Sequence, residues 1–111
     1  MKILVVEPVK HPYTQKISGD LASMQAVVGG LIQAVYPFEE QVALICNEEG
    51  KMLSLQPNRV LRDDKGRVYD VICGTFFLCA TPTDIDSFKG LNAEQLERYM
   101  QRFYPIEFSI G

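Results

Sequence analysis

Short apolar runs separated by turn residues make up most of this chain, and their lengths are typical of β-strands. The runs predicted as strands are Lys2–Val6, Tyr13–Ile17, Leu31–Tyr36, Val42–Cys46, Lys51–Leu55 and Val68–Ala80. The last run is almost entirely apolar, which predicts a central strand that is covered on both faces. Gly74 lies inside it and predicts either a β-bulge or a close approach by some other group.

Apolar residues at helical spacing mark two other segments. The first follows Asp20, a residue type that caps helix N-termini, and ends at Gly29–Gly30, where a left-handed residue can close a helix. Because these glycines follow the helix rather than precede it, they do not predict a phosphate loop. The second segment begins with Asn92 and Gln95 at the spacing of a capping box and stops at Pro105.

The order of these elements predicts one α+β domain over residues 1–111, with a mostly antiparallel sheet of five to six strands and two helices packed on one side of it. Turn residues at Asn47–Gly50 and Asp63–Gly66 predict two tight loops, and the glycine of the first is expected to take a positive φ. Pro57 is expected to end the strand before it. The terminal segment Ile106–Ile110 predicts either an edge strand or an ordered tail.

Composition and charge disfavour several classes of function. Hydrophobic residues make up 47 % and charged residues 23 % of the chain, which is ordinary for a globular protein. A net charge of -3 provides no overall attraction for a phosphate backbone, so direct nucleic-acid binding is not expected. The apolar stretch Ile3–Val6 is too short for a signal sequence or a membrane span. Three cysteines without C-x-x-C spacing predict a reducing, cytoplasmic environment.

The segment Asn47–Arg59 interrupts the apolar pattern with charges, amides and turn residues, and a site is predicted there. Within it, Pro57 can fix a turn that presents Asn58 and Arg59 in one direction. An amide beside a guanidinium suits a planar or phosphate-bearing ligand. The structural alternative is that Asn58 caps the turn while Arg59 forms an ion pair. The acidic residues considered as its partner are Glu48, Glu49 and Asp70.

Residues that commonly carry catalysis or bind metals are sparse. The single histidine, His11, lies in a loop beside Pro12, and the cysteines are scattered, so neither a metal site nor a cofactor is predicted. Glu48 and Glu49 are adjacent, and adjacent side chains in a loop diverge, which argues against a general acid and base pair. The sequence therefore favours a protein without catalytic activity.

Seven blocks of the chain resemble the family called domain of unknown function 3846. The blocks are MKILVVEP at the N-terminus, Met24–Gln25 with Val28–Gly30, Ala34–Phe38, Asn47–Lys51, Pro57–Arg59, Ile72–Phe77, and Tyr99–Met100 with Phe103. The resemblance implies no activity, since the family has none to transfer. It implies a setting in phages, plasmids and integrated mobile elements of Gram-positive gut bacteria. The polar positions that match the family, which form the predicted ligand-binding set, are Asn47, Glu48, Lys51, Asn58, Arg59 and Thr75.

We therefore expect a non-catalytic binding protein of a phage or mobile element that acts in the host cytoplasm against a host defence component, by sequestering a nucleotide-type small molecule. One alternative is an acidic inhibitor that occupies a host nucleic-acid-binding or defence protein through charge mimicry. Another is a small nucleotide-processing enzyme with Glu48 or Glu49 as base and Arg59 stabilising charge. A homo-oligomer is expected, because so small a domain forms a deep pocket more readily between subunits.

Overall fold

The structure, a computed structural model, describes residues 1–83 and 87–109. Within them the helices and strands follow one another along the chain. They are β1 Lys2–Val6, β2 Tyr13–Lys16, α1 Leu21–Val28, β3 Ile32–Val35, β4 Val42–Asn47, β5 Pro57–Arg62, β6 Val68–Cys73, β7 Phe76–Ala80 and α2 Ala93–Phe103. The helix caps are as predicted: Asp20 accepts from the amide of Ser23, and Asn92 and Gln95 form a capping box.

Five strands form the main sheet in the order β2-β1-β7-β4-β3, and every neighbouring pair is antiparallel. The central strands β4 and β7 are buried at every position. β5 and β6 pair with each other in a separate two-stranded hairpin. The α+β class and the mostly antiparallel five-stranded sheet are therefore confirmed.

The two faces of the main sheet carry separate cores. On one face, Met24 and Val28 of α1 pack with Phe77 of β7. On the other face, α2 and the β5–β6 hairpin cover a cluster that contains Leu44 and Phe103. The prediction that both helices lie on one side is wrong. Because the central strands are apolar on both faces, each face needs its own cover.

The predicted hairpin after β4 is also wrong. Residues 50–54 form turns instead of a returning strand, and Pro57 begins β5 rather than ending a strand. Gly50 does not have a positive φ. It is needed for a different reason, since a Cβ there would lie 2.7 Å from the carbonyl oxygen of Cys73. The turn is thus pressed against the end of β6, which no local sequence rule predicts.

Gly74 divides the long apolar run into two strands that belong to different sheets. Its φ is +85°, and a Cβ at this position would lie 2.7 Å from Cδ1 of Leu55. The prediction of a single strand Val68–Ala80 is therefore wrong. Of the two roles considered for Gly74, the close approach of another part of the chain is the one found.

Gly74→Ala is expected to lower the free energy of unfolding by about 2 to 3 kcal/mol, from the positive φ together with the Leu55 clash. Gly66→Ala is a matched control, because Gly66 also has a positive φ, +80°, but no atom lies within 4 Å of the added Cβ. Its expected cost is about 1 kcal/mol, from backbone strain alone. Urea unfolding of both variants checks this, and equal losses would show that the Leu55 contact is of no consequence.

The chain after α2 does not form a strand within the described residues 104–109. Glu107 Oε1 accepts from the amide of Val60 at 3.0 Å, and Glu107 Oε2 lies 3.6 Å from a guanidinium nitrogen of Arg62. The described part is thus an ordered tail along β5, while Ile110 lies outside the described residues. None of the described helices is long and apolar enough to cross a membrane.

Candidate ligand-binding cleft

A cleft of about 380 Å³ lies between the β3–β4 edge of the main sheet, the turn after β4, and β6. Three of the predicted site residues, Asn47, Glu48 and Lys51, line it. The fold brings these residues together because the turn after β4 packs against the end of β6 instead of continuing as a hairpin.

Asn47 holds this turn in place. Its side chain is 5 % exposed, its Oδ1 accepts from the amide of Glu49 at 2.8 Å, and its Nδ2 donates to the carbonyl oxygen of Val28 at 3.3 Å. These bonds tie the turn to the end of α1. Asn47 is therefore a positioning residue, and Glu48 and Lys51 are left as the predicted side chains that can reach a ligand.

The electrostatics of the cleft are mixed. The Lys51 Nζ lies 2.5 Å from Oδ1 of Asp70, and this hydrogen bond raises the pKa of the lysine. Glu48 places a second carboxylate at the rim. Burial raises the pKa of the Cys46 thiol, and the Asp70 charge adds to the effect, so this thiol is protonated at neutral pH.

Asn58 and Arg59 do not line the cleft but lie in the core, each 1 % exposed. The Nδ2 of Asn58 donates to the carbonyl oxygens of Val6 at 2.8 Å and of Gly74 at 2.9 Å. Its Oδ1 accepts from Nη1 of Arg59 at 2.8 Å. Asn58 thus joins β1 of the main sheet to the break between β6 and β7.

Arg59 uses all five of its N–H groups within the protein. Nε and Nη2 donate to the carbonyl oxygen of Phe103, Nη2 also donates to that of Lys10, and Nη1 donates to the backbone and side-chain oxygens of Asn58. Burial lowers its pKa and the Glu107 charge opposes that shift. The predicted turn cap at Asn58 and the predicted ion pairs of Arg59 are both wrong, because carbonyl oxygens are the main partners. No donor of Arg59 is left for a ligand.

Thr75, the sixth predicted residue, lies apart from the cleft. It lines a second cavity of about 390 Å³, which is formed by β1, β2 and α1. The polar side chains there include Glu7, Tyr13 and Gln15. Burial and the neighbouring Glu7 raise the pKa of Tyr13 to about 12, so its phenol is neutral at physiological pH. The predicted set is therefore divided among a cleft, a buried polar junction and a separate cavity.

A third groove, of about 480 Å³, was not predicted from the sequence. Tyr99 donates a hydrogen bond to the carboxylate of Glu40 at 2.6 Å, and Arg98 donates to both oxygens of the same carboxylate at 2.6 Å. The Tyr99 hydrogen bond and the Arg98 contacts lower the pKa of Glu40. The Arg102 guanidinium carbon lies 4.8 Å from the centre of the Phe38 ring. Arg98 and Arg102 are four positions apart on α2, and this spacing, which places both on one face of the helix, is the sequence feature that could have predicted the groove. The charged residues that line the groove are Arg62, Arg98, Arg102, Glu39, Glu40, Asp63 and Asp64, so carboxylates outnumber guanidiniums.

The described residues contain no group of three or more His, Cys, Asp or Glu side chains placed to hold a metal ion. The ring of His11 stacks on that of Tyr104 with 3.9 Å between centroids. Its Nδ1 lies 2.8 Å from the Tyr104 carbonyl oxygen, so the loop before β2 is attached to the end of α2.

The comparison with protein families matches residues 1–104 of the chain to the model described as Domain of unknown function (DUF3846). The chain belongs to the DUF3846 family. No curated protein matches it, and no solved structure matches it. The DUF3846 match includes the whole cleft and the Asn58–Arg59 junction, whereas Glu107 follows the matched range. The range matched to the DUF3846 model thus includes Asn58 and Arg59, buried polar residues that serve the fold.

Proposed function

We propose that this DUF3846 protein is a non-catalytic binding protein that sequesters a nucleotide-type small molecule in the cleft between the β3–β4 edge and β6. The observation that carries the proposal is that one cleft gathers Glu48 and the Lys51–Asp70 pair beside apolar side chains. Small-molecule sites combine apolar walls with a few placed polar groups and occupy about 300 to 1,000 Å³. At about 380 Å³, the cleft has room for a ligand of nucleotide type.

The walls of the cleft suit a flat heterocyclic base. Val35 and Val71 offer an apolar surface, and Met52, which is 77 % exposed, is a flexible side chain that can cover a ring. The amide of Gln33 can donate and accept, and the carboxylate of Glu48 can accept, along the edge of a base. In this proposal these groups give the ligand its orientation.

Lys51 is the group proposed to bind a phosphate. Its side chain is 66 % exposed, and its present partner Asp70 is 36 % exposed. Exposed ion pairs of this kind contribute only about 0 to 1 kcal/mol. A phosphate that replaces Asp70 as the partner of the lysine therefore meets little resistance from the fold.

The biological role in the proposal follows from the setting that the resemblance implies. A phage or mobile-element protein that retains a host signalling nucleotide would lower its free concentration and so counteract the host defence component that depends on it. This role requires tight binding at a stoichiometry near one ligand per site, and it requires no chemical step.

Mass spectrometry of the small molecules released from denatured protein tests the proposal, with the protein purified from infected or signal-producing cells. The wild type is expected to release a nucleotide near stoichiometry, and Lys51→Gln is expected to release at least about tenfold less, because the phosphate loses its charge partner. Lys65→Gln, in the exposed turn after β5, is the matched control and should retain the full load.

Three results would contradict the proposal. Equal nucleotide loads in the wild type and Lys51→Gln would place the ligand elsewhere. Consumption of added nucleotide beyond one equivalent would indicate an enzyme. An empty wild-type protein, with no affinity for added nucleoside monophosphates or cyclic dinucleotides in a calorimetric titration, would favour the acidic inhibitor of a host protein.

A further inference from the structure

Among the described edge strands, β3 is the one whose free backbone N–H and C=O groups are least protected from pairing with another chain. It is the last strand at one end of the main sheet, and its only neighbour among the described strands is β4. Exposed edges usually carry charges or proline, which prevent pairing with another chain. No charged residue occurs from Leu31 to Phe38, and no proline interrupts the strand itself.

The other described edges do carry such protection. β2 ends with Lys16 and follows Pro12, β5 begins with Pro57 and ends with Arg62, and β6 contains Asp70. The edge at β3 is therefore an exception within this chain.

Exposed apolar side chains are placed at both ends of β3. Leu31, just before the strand, is 52 % exposed, and Tyr36, just after it, is 63 % exposed. Met52, another exposed apolar side chain, lines the same cleft as Gln33 of β3. Apolar groups concentrated along one edge are typical of a contact surface.

The hydrogen bonds of the sheet determine which backbone groups of β3 face outward. The amide of Glu48 donates to the carbonyl oxygen of Leu31 at 2.8 Å, so Leu31 directs its pairing groups toward β4. Pairing direction alternates along a strand. The N–H and C=O groups of Ile32 and Ala34 therefore point away from the sheet, and Tyr36 directly follows the strand.

We propose that a second copy of this chain pairs with this edge, β3 against β3 in antiparallel orientation, so that two five-stranded sheets join into one of ten strands. In a two-fold arrangement with Ala34 opposite the partner's Ala34, Ile32 lies opposite the partner's Tyr36. The outward N–H and C=O groups of Ala34 then pair with those of the partner's Ala34, and the outward groups of Ile32 face the partner's Tyr36. An antiparallel edge is self-complementary about a two-fold axis, which is the geometry of the commonest homodimers.

The dimer would also extend the wall of the ligand cleft. This second point rests on the proposed function, whereas the dimer itself does not. Gln33 and Val35 line the cleft of their own subunit. In the proposed register the partner's Val35 lies directly opposite Gln33, on the same face of the sheet. The two clefts would thus meet at the two-fold axis, and each would gain wall from the other subunit.

Sedimentation equilibrium from about 1 to about 100 µM protein tests the dimer. The wild type is expected to have the mass of a dimer. Ala34→Pro is expected to be a monomer, because it removes both N–H groups that bond across the two-fold axis while the bonds to β4 are kept. Thr14→Pro is the matched control: Ile17 pairs with Met1, so by alternation Thr14 also directs its N–H outward, but at the β2 edge. This variant should stay dimeric.

Tyr36→Glu provides a second test that leaves the β3 backbone unchanged. Because Tyr36 is largely exposed, the monomer should fold normally, and the added charge is expected to weaken the dimer at least about tenfold. A wild type that is monomeric throughout the range would overturn the proposal. So would a folded Ala34→Pro that is still dimeric, or a Tyr36→Glu variant that dimerises like the wild type. A monomeric protein that still binds nucleotide through Lys51 would reject the dimer and leave the proposed function in place.

Discussion

Arg59→Met is expected to lower the free energy of unfolding by about 3 to 5 kcal/mol. The side chain is 1 % exposed, and its five N–H groups all donate inside the protein, so methionine leaves several buried oxygens without a donor. Two of the lost bonds are to the Phe103 carbonyl at the C-terminus of α2, where a positive charge also interacts favourably with the helix dipole. Typical domains have about 5 to 15 kcal/mol of stability in total, so much of the fold's margin would be lost.

Urea unfolding followed by circular dichroism measures this change. Arg67→Met is the matched control: its side chain is 73 % exposed, it pairs with Asp63, and its loss should cost no more than about 1 kcal/mol. The informative contrary result is an Arg59→Met protein that is as stable as the wild type but no longer binds ligand. That result would return Arg59 to the binding role that the sequence suggested.

Asn58→Leu is expected to cost about 2 to 4 kcal/mol, because leucine is similar in size but forms none of the three hydrogen bonds. The carbonyl oxygens of Val6 and Gly74 and one N–H of Arg59 would be left buried without their partner. Gln15→Leu, the loss of an exposed amide on β2, should change stability by no more than about 0.5 kcal/mol. Thermal and urea unfolding of both variants check the difference.

The double variant Asn58→Leu/Arg59→Met separates the contributions of the two neighbours. Because both single variants break the bond between Oδ1 of Asn58 and Nη1 of Arg59, the double loss is expected to be smaller than the sum by about 0.5 to 3 kcal/mol. Additive losses would mean that the two side chains stabilise the fold independently.

Replacement of Arg59 is a poor test of ligand binding, because this side chain stabilises the fold. A protein that loses ligand on replacement of Arg59 has first lost a contact between β5, the loop before β2 and the end of α2, so the result reports on folding. Lys51 is the better probe, since it lies at the rim of the cleft and its ion pair with Asp70 is exposed.

Much of the architecture could be predicted from residues that act locally. The bounds of β1 and the caps at Asp20, Gly29 and Asn92 were predicted correctly, because they depend on neighbours within a few positions. The apolar run of β4 also predicted its burial. The predicted site residues do not form one cluster: Glu48 and Lys51 share a cleft, whereas Thr75 lies in another cavity.

What the sequence by itself determined is the class of fold, the family, and the identity of the strands and helices whose ends are marked by capping residues, glycine or proline. Only the tertiary structure decided the break at Gly74, the packing of the helices on opposite faces, and the burial of Asn58 and Arg59. The physical reason is the distance along the chain over which each feature is stabilised. A helix cap involves atoms three residues apart, whereas the donors of Arg59 meet carbonyl oxygens 44 and 49 positions away, which local pattern cannot reveal.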